Sequence, residues 1–414
     1  MLRIALSSID KLTLDNLRIA LVGFILSQQQ NKQLMIYLND NNAVLDILNL
    51  FSIDCTRVIY KKDNIKYHTQ MAMKLLLDKK AFNCFCSDEA LEQDKQKAIA
   101  ENKPYVYNGF CEHISDEAKF QCNAPFSVRI KQPERPIKIE DLIAKEYISK
   151  EFDVDSFVIL NRDKIPTTDL AYSIDDMLYD ISMVLELKQN LNNSYKQVHI
   201  RNCLDYTKQI KYTHISSISN KSDLPYVNDL IENGYLPAAI ANYLIVLGYN
   251  NIDKEVFTLE ECLQWFDVQN ISQSNFQFDM SKLDDFNRKY IQSMDNMRLS
   301  KILGYADEDI GKLAKLYLDR CSTTEQLKQK INLIFAKKEP LKGFETQYVI
   351  VKDCLKTAPF IDNIDDLIKY ITKQTNLTID EILVSLRYIL TGETNQIDIS
   401  NIYSLIKNYL GEIL

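Results

Sequence analysis

Four side chains able to bind metal stand in two close pairs, Cys84-Phe85-Cys86 and Cys111-Glu112-His113. The chain has nine cysteines and four histidines in 414 residues, so this one stretch holds a marked local concentration. Soft thiolates and an imidazole make the tetrahedral donor set that suits Zn²⁺. Four protein ligands would close the coordination sphere, as in a structural site, whereas a catalytic zinc keeps an open position. The plainer reading is that cysteines pack as small apolar residues; two tight ligand pairs weigh against it. Elsewhere little stands ready for chemistry. His68, His199 and His214 each read as isolated, with no nucleophile, base and metal set around them.

The elements that must position these residues follow from apolar spacing. Residues 2–6 read as a strand. Residues 10–29 carry Leu14, Leu17, Leu21, Ile25 and Leu26 at helical intervals, and 33–38 return to strand. That β-α-β unit opens a doubly wound nucleotide-binding fold. Such a site wants glycine where strand turns into helix, yet Gly23 is the only glycine among the first hundred residues and falls inside the helix. The turn 7–16 is a poor phosphate cradle. A second helix spans 67–78. Residues 88–101 form a charged helix between the two ligand pairs, and a turn over 105–109 brings the second pair back. A module this small buries little core, and a metal is a natural staple for it. Strands at 126–131 and 157–160 follow, then Ile174-Asp175-Asp176 leads into a strand at 181–187. A helix at 192–204 and a strand at 212–216 complete the α/β part. From Gly234 onward the pattern is helical: 237–247, 259–266, 280–292, 310–317 and 325–336, then a lysine-rich linker at 337–343 and an all-helical last hundred residues.

Composition narrows the classes. With 46% hydrophobic and 26% charged residues the chain is an ordinary globular protein. No apolar run approaches the ~18 residues of a membrane span, and the N-terminus already reads as a strand, not a leader. A formal charge of −8 argues against a general nucleic-acid coat protein, though a local basic groove remains compatible with it. Well-spaced thiols outside the cluster suit a reducing, cytoplasmic setting. Neither membrane nor DNA is expected as a partner.

Several separated blocks together resemble bacterial glutamyl-tRNA synthetases. The most specific are 81–89, with Cys84 and Cys86, and Tyr107-Asn108-Gly109-Phe110-Cys111-Glu112-His113, which is similar to that family's zinc-bearing acceptor-arm insert. Asp175-Asp176, Lys196-Gln197, Glu232-Asn233-Gly234-Tyr235-Leu236-Pro237, Asn287-Arg288-Lys289-Tyr290-Ile291 and Leu386-Arg387-Tyr388 also fit, in order. The resemblance implies a class I, split Rossmann-type α/β catalytic-like domain with a zinc-stapled insert, followed by all-α C-terminal domains. It implies divisions at 1–78 and 151–230 for the two Rossmann-like halves and 79–150 for the insert. A helical stem-contact-like domain at 231–310 and an anticodon-binding-like domain at 311–414 follow. It also raises Tyr107 as a rival to His113 for the fourth zinc position.

Where the chain departs from the family, the departures gather on one site. The ATP signature with its imidazoles falls on Thr13-Leu14-Asp15-Asn16, where Asp15 adds a carboxylate that repels phosphate. The amino-acid pocket keeps Arg3 but has Asn39 in a changed block. Thr168 stands at a tyrosine position and Glu186 at an arginine that would clamp the substrate carboxylate. A carboxylate in place of that arginine reverses the interaction. The lysine loop of the second ATP signature is absent near 220–226. The expectation is therefore a catalytically inactive paralogue that does not bind ATP but binds tRNA, or instead a scaffold for a protein partner such as an active synthetase. An enzyme of altered chemistry comes third. Lys188, Lys196, Lys208, Lys211, Arg288 and Lys289 are candidate phosphate contacts. The apolar terminus 402–414 is a candidate protein surface, or packs on its own domain.

Overall fold

Residues 2–6 are apolar except at Arg3, and both faces of this strand are covered, as a central parallel strand requires. Leu2–Leu6 (β1) leads to Leu14–Gln29 (α1), which starts where the Thr13 hydroxyl accepts the Asn16 amide. That cap sets the helix start later than residue 10. Leu34–Leu38 (β2), Ala43–Leu50 (α2), Arg57–Tyr60 (β3) and Ile65–Leu77 (α3) complete the first half. The structure is a computed structural model and describes all residues except 7–10, 39–42, 220–222, 251–253, 255 and 395–397.

The chain then leaves this sheet. Ala81–Cys84 (β4), Asp88–Ala100 (α4), Asp116–Gln121 (α5) and Ser127–Ile130 (β5) form the insert. Lys138–Asp141 (β6) and Lys145–Ile148 (β7) make a hairpin, and Val158–Leu160 (β8) joins β5 and β4 in a separate antiparallel sheet. Thr168–Leu178 (α6), Met183–Leu187 (β9), Leu191–Cys203 (α7) and Lys211–Ile215 (β10) return to the first sheet. Residues 174–176, read as a lead into a strand, are the closing turns of α6 instead.

Among the described residues the main sheet has the order β3-β2-β1-β9-β10-β6-β7, parallel except for the β6–β7 hairpin. β1 therefore sits between β2 and β9, which belong to opposite sides of the insert. Arg3 pairs with Val184, so Glu186, two residues on, lies on the same face. Tyr212 pairs with Val184 and His214 with Glu186, and both join that face. It is covered by α7, whose Ser194, Gln197 and Arg201 recur at helical spacing and are all buried.

Two compact units emerge: Met1–Asn228 with Leu244–Phe278, and Asp229–Tyr243 with Asp279–Leu414. The second is helical, around a core that includes Leu299, Leu313, Leu327, Ile331, Leu386 and Ile402. Each such side chain contributes about 1.5–3 kcal/mol on burial. Capping boxes at Thr323–Gln326 and Thr378–Glu381 start two of its helices. Gly392 ends the second of these in the left-handed region, at φ +74, where other residues are strained. The apolar terminus packs on its own unit: Ile402, Tyr403, Ile406 and Ile413 are core residues.

Candidate functional site

The cysteine pairs meet because β4 carries Cys84 into the insert and a short 3-10 turn, Phe110–His113, returns Cys111 beside it. The sulfurs of Cys84, Cys86 and Cys111 lie within 4.8 Å of one another, and Cys86 and Cys111 are 3.5 Å apart. The Tyr107 hydroxyl stands with them, 3.6 Å from Cys84 Sγ and 3.5 Å from Cys86 Sγ. His113 lies apart, exposed, with its imidazole over Gly109. The reason is local: the 3-10 turn directs Cys111 inward and the residue two further on outward. Arg129 on β5 donates to Cys84 Sγ at 3.4 Å and lies 4.1 Å over the Tyr107 ring. Burial works against a Cys84 thiolate, but hydrogen bonds from Tyr107 and Arg129 win and bring its pKa down to about 7. Burial outweighs the neighbours at Cys86 and pushes it to about 11. Three clustered thiols, one flanked by a fixed guanidinium, fit a thiophilic cation such as Zn²⁺.

The second site surrounds Arg3, which is fully buried on β1. Its Nε donates to Asp176 Oδ1 at 2.6 Å, and its other nitrogens reach Glu186 Oε1 at 3.3 Å and Gln197 Oε1 at 3.1 Å. Asp176 also takes Arg201 Nη1 at 3.0 Å, and Glu186 takes Asn190 Nδ2 at 3.1 Å. The Tyr172 ring lies 4.7 Å beneath the Arg3 guanidinium. Two arginines and two carboxylates cancel, so the network is neutral. Burial disfavours the Arg3 cation, but Asp176 and Glu186 outweigh it and raise its pKa. No cation of this set is left unmatched for a free amino-acid carboxylate.

The remaining expected positions have structural work. Thr13 caps α1. Asp15 accepts the Ile218 amide at 2.9 Å, and burial raises its pKa. Asn16 is buried. Thr168 accepts from Lys61 Nζ at 3.2 Å. Asn39 and residues 220–222 of the shortened loop lie outside the described residues. Asp175 and Asp176 are both 0% exposed, so neither carboxylate is available to an outside partner. Their carboxylates serve inner partners instead: Asp175 takes His68 at 2.9 Å and Asn64 at 2.8 Å. The basic candidates already have protein contacts. Lys208 pairs with Asp180, Lys211 with Glu140 and Arg288 with Asp285, while Lys188 donates to the Gln273 carbonyl and Lys196 lies over Phe157. Such exposed pairs are weak enough to exchange for phosphate.

The histidines that read as isolated are not. His214 Nδ1 is 2.8 Å from Asp141 Oδ2, and its Nε2 is 2.9 Å from Ser194 Oγ. This is the connectivity of a serine–histidine–aspartate set. All three residues are buried, with Tyr212 stacked on the imidazole and Tyr147 edge-on to it. A nucleophile needs substrate beside it, and this hydroxyl faces packed protein. The set braces α7 against β6 and β10. No sequence signal could have found it, because the three residues come from three separate elements.

The chain matches the family described as "tRNA synthetases class I (E and Q), catalytic domain" over residues 3–285. It is 39% identical to "Glutamate--tRNA ligase 2" of Sulfurimonas denitrificans, covering 100% of both chains. It is 36% identical to "Glutamate--tRNA ligase 1" of Campylobacter jejuni, covering 100% of this chain and 99% of that one. A crystal structure of a glutamate tRNA ligase from Elizabethkingia meningosepticum superposes with a TM-score of 0.80 at 18% identity, covering 100% of this chain and 98% of that chain. That last likeness concerns the fold. No helix among the described residues is long and apolar enough to cross a membrane.

Proposed function

The chain belongs to the glutamyl-tRNA synthetase family, and from that premise we propose that it is a catalytically silent member that binds tRNA without charging it. The observation that carries this reading is the neutral network around Arg3. An amino-acid pocket needs a cation free to take the substrate carboxylate. Here Glu186 and Asp176 occupy that cation from within the protein. Displacing them would strand a buried carboxylate, at about 3–5 kcal/mol, before any binding is gained. Asp15 supports the reading independently. Its carboxylate is committed to a backbone amide where the family places groups that stabilise phosphate.

Binding of tRNA rests on what persists: the insert with its sulfur cluster and the helical second unit. Cys84, Cys86 and Cys111 would hold zinc, with the Tyr107 phenol as the fourth group in place of His113. The ion would tie Cys84 and Cys86 to the turn that carries Tyr107 and Cys111, and perform no chemistry on substrate.

The deciding experiment is ATP–pyrophosphate exchange with glutamate in the presence of tRNA, alongside recovery of bound RNA from the protein's own cells. The expected result is no exchange together with tRNA enrichment. Exchange above background would refute silence. Absence of tRNA, with a protein recovered instead, would transfer the reading to a scaffold.

A further inference from the structure

A cleft of about 1080 Å³ opens within the first unit, lined where β10 and β6 begin and where α7 ends. Ligands of open parallel sheets sit beyond the carboxyl ends of the strands, which is where Thr13 and Asp15 stand relative to β1. The cleft is at the other end of the sheet, so it is a separate place from the former substrate pocket.

Its charge is unusual for this chain. Seven lysines and arginines line it against three glutamates, an excess of four positive charges in a protein of net −8. Basic residues gather at helix C-termini for a simple reason, since each terminus carries about half a negative charge. Two helices, α3 and α7, end here. They account for about one charge, and carboxylates just outside the lining, Asp176, Glu146 and Asp180, meet three more. Lys131, Lys138 and Lys208 have carboxylate partners in Glu112, Glu146 and Asp180. Among the described residues Lys79, Lys80 and Arg135 have no ion-pair partner.

The floor is built, not incidental. Arg201 is 4% exposed and lines the cleft while Asp176 fixes its guanidinium at 3.0 Å. The Tyr206 hydroxyl, also in the lining, is buried without a hydrogen-bond partner among the described residues. Asn202 and Gln132 add neutral donors and acceptors. A volume just above the ~300–1,000 Å³ usual for ligand pockets leaves room for a nucleotide-sized molecule.

We propose that this cleft binds a phosphorylated small molecule of nucleotide size. Its phosphates meet Lys79, Lys80 and Arg135, and its neutral part lies against Tyr206 and Asn202. The proposal stands whether or not the synthetase chemistry is silent. It is tested on the full chain by calorimetric titration with pyrophosphate and with ADP, at low and high salt. Wild type is expected to bind ADP, more weakly at high salt, and the doubly reversed Lys80→Glu with Arg135→Glu variant to bind at least about tenfold more weakly. Lys369→Glu, on the surface of the other unit, should leave binding unchanged, and circular dichroism verifies that both variants are folded. The milder Lys79→Ala should give an intermediate loss if the double variant fails that check. No binding of either probe by wild type would overturn the proposal, as would binding that survives charge reversal. Dependence on these residues seen with tRNA alone would overturn it in favour of an RNA contact.

Discussion

Removing one carboxylate from the Arg3 network discriminates between an internally satisfied pocket and an ordinary buried ion pair. Asp176 holds two arginines, at 2.6 and 3.0 Å, whereas Glu186 holds one at 3.3 Å. Asp176→Asn and Glu186→Gln each take the network from neutral to +1 and keep the side-chain shape. Breaking a buried pair from one side costs about 3–5 kcal/mol, and Asp176→Asn belongs there because it weakens both arginines. In Glu186→Gln, Asp176 stays on Arg3 and an amide oxygen remains, so the loss is about 1–3 kcal/mol, as for one hydrogen bond to a charged group. Trp265 is the only tryptophan and lies in the same unit as the network, so urea unfolding followed by its fluorescence reports that unit. The network of Glu186→Gln, now carrying one net positive charge, should then accept free glutamate. At ten times its dissociation constant the ligand restores about 1.4 kcal/mol, while wild type shows no gain. Equal losses in the two variants, or wild type stabilised by glutamate, would refute the reasoning.

Metal analysis of the purified chain should find about one zinc, lost in Cys84→Ser with Cys86→Ser. Tyr107→Phe should lower zinc affinity and His113→Ala should not; the opposite order would return the fourth position to His113. Lys338 is held by the carbonyls of Ile334 and Ala336. Burial, aided by Lys352, lowers its pKa from 10.5 to about 8. Between those values the unfolded chain binds the extra proton, so this group makes the second unit more stable as pH rises from 8 toward 10.5. Lys338→Met should flatten that rise in denaturation curves taken across the window.

Local features were the legible ones. The β-α-β opening reads directly because each element carries its own apolar period, and the sulfur cluster reads because its ligands come in pairs one residue apart. The Arg3 network is another matter. Arg3 and Asp176 are 173 residues apart, and nothing near either one announces the other. Helix α7 shows why polar pattern misleads: Ser194, Gln197 and Arg201 look like a solvated face, yet they face the sheet because Arg3, Asp176 and His214 supply their partners. The same physics hid the setting of Asp175-Asp176. Residue type alone favours His113 as a zinc ligand, and the direction of a four-residue 3-10 turn is invisible at that level.

The position of β1 between β2 and β9 has a consequence for synthesis. A ribosome releases β1 and β2 early, and these can pair at once, but the other edge of β1 stays open until β9 emerges. Closing a chain segment of this length costs about 4–5 kcal/mol of entropy, and long-range parallel pairing is slow. Meanwhile the cysteine insert is complete and its ligands are local, so it can settle first. The nascent chain therefore carries an unpaired apolar strand edge for most of the translation of its first unit, a template for mispairing. That interval, more than the finished molecule, is where chaperone dependence should lie.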